Sequence, residues 1–554
     1  MKNNIKYYIF LVLIIIFGFA IRLINLDKNG GLWYDEITIY SISQNFSGDL
    51  KRFLQFPIYY VFYKFWICIL GNSDFVIRLM SVIFDILSLF MTFILTKNIY
   101  KIFSNDEIQS IKAGLVSSSL YAVNSSFIYY AQEAKFYSFT FFAVLLFFIF
   151  WIKFLDKNCS KINFVLFYLS TLILLYSNTC QIVLIMFAFI LMTVLFVKRN
   201  IIKQKLSYLM ILSTVFIPLI IFIIRIKGYF TGNFDAVVFD NSFTLSVLQN
   251  YFSPILIGVQ NNVLNYQKFL IKHLLDIKYL IYVLIPVVIS IFGILYSVKK
   301  SVICRYLFLI CSLYLVFHLI LPLFSSYKPL VRYTLFVLPI FISLLAVGLK
   351  VLTNKYLKRC LFAVLIFINT FCLILPSSAL FIQRPDGYKT LADFLKVNNI
   401  PNNANFILPI RENLLDKYYK IRGEKLSLYI LNSDAAQKTY LTNDEINGLK
   451  NDNGNKQIYY KRFLTNDKIS EEFIKFVDEK FSVNKPIVLI TDKTICVFNN
   501  QQISQIVQSS HYSNYALQFL RLSKLNNDLL KVLKSRFKRY DVYNSDMWDV
   551  HVFY

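Results

Sequence analysis

Apolar runs long enough to cross a membrane recur through the first two thirds of the chain. A transmembrane helix needs about 20 mostly apolar residues, and eleven segments approach that length with few charges. The pattern therefore predicts a polytopic α-helical membrane protein with about 11 transmembrane helices. The predicted spans are 7–24, 75–96, 113–131, 136–155, 162–177, 180–198, 207–225, 278–297, 306–323, 332–350 and 360–377.

Two apolar segments allow a second interpretation. Lys2 and Lys6 precede the first run, as in a cleaved signal peptide. Arg22 follows that run without a small-residue cleavage motif, so we predict an uncleaved helix. The run 58–70 would rise only about 20 Å as a helix, short of a hydrocarbon core of about 30 Å. We therefore expect 58–70 to lie at the membrane interface.

The last third of the chain has the pattern of a soluble α/β domain. The predicted helices are 386–397 and 469–481, and the predicted strands are 405–410, 425–431, 486–491 and 494–498, the last two forming a pair around a tight turn. The sequence thus predicts two domains. Residues 1–378 form the transmembrane domain, with long outer loops at 25–74 and 227–277, and residues 379–554 form an extracytoplasmic α/β domain.

The composition excludes a soluble enzyme. Of the 554 residues, 57% are hydrophobic and 16% are charged, whereas soluble domains carry about 25% charged residues. Aromatic residues make up 18% of the chain, while Gly (15), Pro (12) and Cys (8) are scarce. Disordered, collagenous and disulfide-scaffold proteins are excluded by these values.

The net charge of +26 sits mainly in the apolar part. Residues 1–378 carry 33 Lys and Arg against 13 Asp and Glu, a surplus of +20, so the charge indicates a membrane and not a nucleic acid partner. Cytoplasmic loops are enriched in Lys and Arg, and the basic loops fall on one side once 58–70 is left out of the spans. We therefore predict an inner (plasma) membrane protein with a cytoplasmic N-terminus and an extracytoplasmic, periplasmic C-terminal domain.

Asp35 and Glu36 are adjacent acids directly after the first span. One carboxylate of such a pair can act as a general base while the other binds a metal or orients the acceptor. The alternative is a solvated helix start, because acids favour the first turn of a helix.

Gln132, Glu133, Lys135 and Tyr137 form a second group between the third and fourth spans, where a charged cluster so close to hydrocarbon is costly and indicates function. Its alternative is a simple turn with Lys135 extended towards water.

Arg332 and Tyr333, with Lys328 nearby, lie at the predicted outer end of the tenth span. The fork of donors on a guanidinium suits an anionic phosphate, although Arg with Tyr is also an ordinary interfacial anchor. Arg22 and Arg78 raise the same choice at the first and second spans. All these candidates fall on the predicted outer face, which favours a substrate with an anionic head and an apolar tail, such as a polyprenyl-phosphate sugar.

Four stretches in the first 350 residues, in their order and spacing, resemble the GT-C glycosyltransferases. The branch is that of the dolichyl-phosphate-mannose protein mannosyltransferases and the bacterial lipid A aminoarabinose transferases. The stretches are 33–36, 56–60 with 71–78, 130–137 and 331–333. The resemblance implies that Asp35 is the catalytic base or orients the acceptor, that Glu133 matches the family's glutamate after the third span, and that Arg332 holds the lipid phosphate.

Three positions depart from the family pattern. Lys135 stands where members usually have Arg, which keeps the charge but loses bidentate phosphate geometry. Asn124 stands in place of a proline, and Asn178 in place of a frequent His. The absence of that His removes one possible metal ligand. A bound divalent cation is therefore left open, its ligands are unknown, and no cofactor is required.

The predicted function is an inverting glycosyltransferase that moves a hexose or pentose from a polyprenyl-phosphate donor to an acceptor on the outer face of the membrane. The acceptor, a lipid such as the lipid A of lipopolysaccharide, a glycan or a protein, is left open. We expect catalytic roles for Asp35, Glu36 and Glu133, and donor phosphate binding by Arg332, Lys135, Lys328, Arg78, Tyr137 and Tyr333.

Three other functions are compatible with the residues. One is a transporter or flippase of a lipid-linked or anionic substrate, although glycine is sparse and the charges gather at the predicted rim instead of mid-span. Another is a membrane-anchored scaffold whose tail carries the function. The third is a ligase or polymerase that uses diphosphate-linked glycans.

Overall fold

The chain divides into two compact units. A computed structural model describes residues 5–27, 31–32, 34–46, 50–156, 159–199, 277–324, 335–374, 388–408, 425–427, 485–492, 529–544 and 548–554, with single positions at 220, 415, 418, 419 and 422. The membrane unit comprises Met1–Asn29 and Ile39–Gln383, and the α/β unit comprises Gly30–Thr38 and Arg384–Tyr554. The predicted span 207–225, except for position 220, lies outside the described residues, as do the predicted loop 227–277 up to its last residue and the predicted helix 469–481.

Helices make up most of the described membrane unit. Each predicted span within the described residues coincides with one or two helices. They are α1 (Ile5–Leu23), α2 (Tyr34–Gln44), α3 (Leu50–Phe53), α4 (Pro57–Leu70), α5 (Asp74–Phe103), α6 (Glu107–Val123), α7 (Ser125–Ala131), α8 (Tyr137–Phe154), α9 (Lys161–Ser177), α10 (Ile182–Arg199), α11 (Ile277–Lys300), α12 (Val302–Phe324), α13 (Leu338–Val351) and α14 (Lys355–Ile374). Short 3₁₀ helices precede α10 (Thr179–Gln181) and α13 (Leu335–Val337).

Three helices in the described part of the chain are long and apolar enough to cross a membrane: Ile5–Leu23, Asp74–Ile102 and Tyr137–Phe154. The exposed side of α1 is apolar, with Ile9, Phe10 and Ile16 each more than half exposed. Such a surface suits lipid and would be costly in water. The membrane character of the chain is thus supported, whereas the count of 11 spans and their orientation stay predictions.

The predicted span 113–131 is interrupted at Asn124. The Oδ1 of Asn124 accepts hydrogen bonds from the backbone N–H groups of Ser126 (3.0 Å) and Phe127 (3.4 Å). Asn124 therefore ends α6 and caps the start of α7, a role for which Asn is well suited. Members of the resembled family have proline here, and proline also favours the beginning of a helix.

Two pairs of helices approach each other closely at glycines. A Cβ at Gly114 on α6 would lie 2.6 Å from the ring of Phe93 on α5, and a Cβ at Gly348 on α13 would overlap the carbonyl oxygen of Gly293 on α11. Small residues at these positions let the backbones touch, as is common in membrane helix pairs.

α4 has 14 residues and is therefore about 21 Å long, shorter than a hydrocarbon core. One side of α4 is buried through Tyr59, Tyr60 and Tyr63, while Phe62 and Phe65 are exposed. The indole of Trp66 donates to the carbonyl of Val76 at 2.7 Å, which ties α4 to the start of α5. The interfacial placement of 58–70 stays a prediction.

The α/β unit contains a mixed sheet. The strands are β1 (Asn405–Leu408), β2 (Lys425–Ser427), β3 (Ile487–Asp492), β4 (Tyr540–Asn544) and β5 (Trp548–Phe553), in the order β2-β1-β3-β5-β4. β1 is parallel to β2 and β3, whereas β5 is antiparallel to β3 and β4. A helix, α15 (Tyr388–Val397), precedes β1.

The described partners of β3 are distant from it in sequence. In the described part of the sheet its neighbours are β1 and β5, with Ile487 opposite Phe553 and Asp492 opposite Trp548. The expected partner 494–498 lies outside the described residues. β3 and β5 are thus paired although they lie about 60 residues apart in sequence, and the predicted pairing of 486–491 with 494–498 stays a prediction.

Candidate functional site

Charged side chains lie buried in the turn between α7 and α8. Glu133 is 2% exposed and Lys135 is 4% exposed. The Nζ of Lys135 lies 5.4 Å from the ring centroid of Tyr137, a distance at which the cation is attracted to the ring face. The backbone N–H of Lys135 donates to the carbonyl of Glu133 at 2.7 Å, which makes the turn tight. This burial excludes a turn in which Lys135 simply extends into water.

The turn is held by its neighbours in the membrane unit. The Nε2 of Gln132 donates to the carbonyls of Arg22 (3.2 Å) and Ile24 (2.7 Å), at the end of α1. The Oγ of Ser81 on α5 lies 3.3 Å from the carbonyl oxygen of Lys135 and donates to it. Glu133 and Lys135 are therefore carried by a backbone that two other helices fix in place.

Arg78 is fully buried on α5, and its Nη1 donates to the carbonyl of Leu26 at 3.0 Å. An arginine has five donors, so this bond occupies one of them. Arg78 thus holds the chain just after α1, close in sequence to the carbonyls that Gln132 contacts. Its predicted part in phosphate binding stays a prediction.

A buried ion pair that the sequence did not single out is linked to this turn through Arg22, whose carbonyl accepts from Gln132. The Nε of Arg22 donates to Oδ2 of Asp85 on α5, and the hydroxyl of Tyr121 on α6 donates to Oδ1 of Asp85 at 2.7 Å. The Nη1 of Arg22 also donates to the carbonyls of Gly18 (3.0 Å) and Ala122 (3.1 Å). Arg22, which the sequence offered as a phosphate ligand or interfacial anchor, therefore joins α1, α5 and α6.

Aromatic rings connect the turn to the segment that follows Arg332. The ring of Tyr137 lies 4.6 Å from that of Tyr130 and 6.3 Å from that of Phe336, and Phe336 also contacts Phe141 at 5.5 Å. The chain is described again from Leu335 onward, while Lys328, Arg332 and Tyr333 lie outside the described residues.

The acidic pair lies at the start of α2, in the part of the chain that belongs to the α/β unit. Glu36 is fully buried, as are its neighbours Leu32 and Ile37. A solvated helix start is therefore the wrong interpretation for Glu36. The backbone of Asp35 lies in the first turn of α2, and its side chain lies outside the described atoms.

The metal prediction gains no support from the described residues. They contain no group of three His, Cys, Asp or Glu side chains that could hold a metal ion. At Asn178, where family members often have His, the Oδ1 accepts a hydrogen bond from the N–H of Cys180 at 3.1 Å. Asn178 thus caps the short helix before α10.

Two solved structures of one bacterial enzyme resemble the whole chain. ArnT from Cupriavidus metallidurans in the apo state matches with a TM-score of 0.56 at 11% identity, over 100% of this chain and 98% of ArnT. ArnT bound to undecaprenyl phosphate matches with a TM-score of 0.56 at 11% identity, over 98% and 97%. The fold is that of the GT-C glycosyltransferases.

The GT-C fold predicted from the four sequence stretches is thereby confirmed. The archaeal oligosaccharyltransferase AglB from Archaeoglobus fulgidus, in complex with an inhibitory peptide and a dolichol-phosphate, matches at a TM-score of 0.46 and 13% identity, over 92% of this chain and 72% of AglB. No protein-family model and no curated protein matches the chain.

Proposed function

We propose that the chain is an inverting glycosyltransferase that takes a sugar from a polyprenyl-phosphate donor and transfers it to an acceptor on the outer face of the membrane. The observation that carries the proposal is the buried turn with Glu133, Lys135 and Tyr137, packed beside the segment that follows Arg332. Buried charges in an apolar helix bundle are costly and are retained where they serve a substrate.

The likeness to ArnT supports the choice of donor. One ArnT structure is bound to undecaprenyl phosphate, which has the anionic head and apolar tail that the charges of this chain suit. We assign Lys135, next to Tyr137, as one cation for the lipid phosphate. Arg332 and Lys328 are the further cations that we assign to the phosphate, with Arg78 and Tyr333 as additional contacts.

The reaction is a single displacement. The acceptor hydroxyl attacks the anomeric carbon while the bond between that carbon and the phosphate oxygen breaks, and the polyprenyl phosphate leaves with the electron pair. Asp35 accepts the hydroxyl proton as general base, and Glu36 or Glu133 orients the acceptor. Arg332 with Lys135 or Lys328 offsets the charge that develops on the phosphate.

Transfer by purified protein in liposomes tests this assignment. Polyprenyl monophosphate and diphosphate sugars are supplied in turn, and release of the lipid phosphate and inversion at the anomeric carbon are measured. We expect turnover only with a monophosphate donor, because the ArnT structure that this chain resembles is bound to undecaprenyl phosphate, a monophosphate. Turnover only with diphosphate donors would favour a glycan ligase or polymerase instead.

Two variants assign the residues. We expect Asp35→Asn and Arg332→Ala each to reduce turnover at least 100-fold, in line with the loss of a general base or of a charge-stabilising group. Matched controls are Asp27→Asn, at an exposed aspartate after α1, and Arg305→Ala, at an exposed arginine whose Nε donates to the carbonyl of Val298 at 3.2 Å. Full turnover in both test variants at normal expression would refute the assignment.

A further inference from the structure

Tyr418, in the C-terminal part of the chain, is hydrogen-bonded to Leu32, just before the acidic pair Asp35 and Glu36. The backbone N–H of Leu32 donates to the hydroxyl oxygen of Tyr418 at 2.7 Å, across 386 positions of sequence. Leu32 is fully buried, and both residues belong to the α/β unit. The contact is therefore a built-in part of that unit.

Gly31 shows how closely the two parts of the α/β unit approach. Its φ of +99° lies in the region that favours glycine. A Cβ at this position would lie 2.7 Å from Cβ of Lys389 on α15 and 3.0 Å from the hydroxyl oxygen of Tyr418. A glycine is thus required here both by conformation and by space.

The anchored segment leads directly into the helix that carries Asp35. α2 begins at Tyr34, two residues after Leu32. Beyond Asp35, Glu36 and Ile37 are fully buried, so packing holds the backbone that follows Asp35. A shift at Leu32 would therefore be passed to the first turn of α2.

We propose that Tyr418 is a positioning residue for the transfer reaction: by accepting the N–H of Leu32, it sets the start of α2 and hence the place of Asp35. The inference rests on the proposed function of Asp35. It gives the α/β unit a part in transfer itself, since the base would be set in place by that unit. General bases misplaced by about 1 Å lose much of their effect.

Hydrogen exchange tests the contact without any substrate. In the full-length protein we expect the Leu32 amide to be protected, and Tyr418→Phe to remove much of that protection because the ring remains and the hydroxyl that accepts from Leu32 is lost. The matched control is Tyr419→Phe. The hydroxyl of Tyr419 donates to the carbonyl of Ile400 in the same unit, so its loss should leave the Leu32 amide protected.

Turnover tests the consequence. The loss of one ordinary hydrogen bond corresponds to about a five-fold effect, so we expect kcat of Tyr418→Phe to fall about five-fold with KM for the donor unchanged. Tyr419→Phe should retain kcat. Gly31→Ala should reduce kcat more than Gly71→Ala, because Gly71 has a similar φ of +92° but a Cβ there would meet nothing within 4 Å.

The outcomes separate this inference from the proposed function. Unchanged protection of Leu32 in Tyr418→Phe, or full kcat despite lost protection, would overturn the positioning role while leaving transfer by Asp35 intact. Equal losses in Tyr418→Phe and Tyr419→Phe would indicate general damage to the unit and would also overturn it. Full turnover by Asp35→Asn would overturn the proposed function, and with it the reason for positioning that residue.

Discussion

Arg22 and Asp85 form an ion pair in which neither side chain has any exposed surface. Asp85 lies in the middle third of α5, and Arg22 lies in the last turn of α1. Because Tyr121 also donates to Asp85, three helices meet at one carboxylate. This pair is linked to the turn of Glu133 and Lys135 through the contact of Gln132 with the Arg22 carbonyl.

Removing one partner of this ion pair should destabilise the protein much more than removing both. Asp85→Leu leaves the Arg22 charge buried and unpaired, which costs about 3–5 kcal/mol, whereas replacing both charges by apolar residues is often neutral. We therefore expect a large drop in thermal unfolding temperature for Asp85→Leu in detergent, and recovery of most of it in Arg22→Met/Asp85→Leu. Equal losses in the single and double variants would contradict the pairing.

The amide of Gln132 should matter for transfer through the turn that it holds. Gln132→Met keeps the size of the side chain but leaves the carbonyls of Arg22 and Ile24 without this donor, at a cost of about 1–3 kcal/mol. We expect a lower kcat at nearly normal expression, measured with the liposome assay. Gln44→Met, at an exposed position at the end of α2, is the control and should behave as the unchanged protein.

The close contact between α11 and α13 predicts that adding one methyl group at Gly348 strongly destabilises the protein. Gly348→Ala would place its Cβ on the backbone of Gly293, which cannot move aside cheaply, whereas Gly18→Ala would meet the flexible end of Leu89 at 3.0 Å. Overpacking typically costs about 1–3 kcal/mol, and more against backbone. Gly348→Ala should therefore reduce both the unfolding temperature and the protein yield far more than Gly18→Ala does. Similar unfolding temperatures and yields for the two variants would refute the close approach.

His551 on β5 predicts that the α/β unit weakens in acid. Burial lowers the pKa of His551 below its ordinary value of 6.5, and Lys534 lowers it further, against a smaller opposite effect of Asp549. The unfolded chain thus takes up a proton before the folded one, so stability is full above about pH 6.5 and falls below it.

The check is the protection of the β5 amides, expressed relative to an unstructured chain at the same pH. We expect protection to decline as pH falls from about 6.5, and the decline to be reduced in His551→Phe, which keeps a ring at this position. A decline of the same size in both proteins would show that another group is responsible.

The helices of the membrane unit were predictable because each apolar run is long and local. The runs 7–24 and 136–155 correspond to Ile5–Leu23 and Tyr137–Phe154 within a few residues. The break at Asn124 was less visible, since apolar residues continue on both sides of it and only the capping bonds reveal the new helix. The spacing of apolar residues indicates which side chains of a segment are buried. It does not indicate where the backbone hydrogen bonds of one helix end and those of the next begin.

Contacts between residues far apart in the chain could not be predicted from the sequence. Asp85 was passed over as a single acid in an apolar run, because its partners Arg22 and Tyr121 are 63 and 36 positions away. The alternation in Tyr540–Asn544 was a usable signal for β4 that the prediction missed. The bond between Leu32 and Tyr418 has no local sequence signal, so only the folded chain brings the segment before the acidic pair together with the C-terminal part of the α/β unit.

The most direct test of the central claim is mass spectrometry of the envelope glycolipids from cells that lack this protein. The account predicts that one sugar is missing from one acceptor class, that the unchanged protein and Asp27→Asn restore it, and that Asp35→Asn does not. An unchanged set of glycoconjugates in the deletion strain, or full restoration by Asp35→Asn, would contradict transfer by the proposed site.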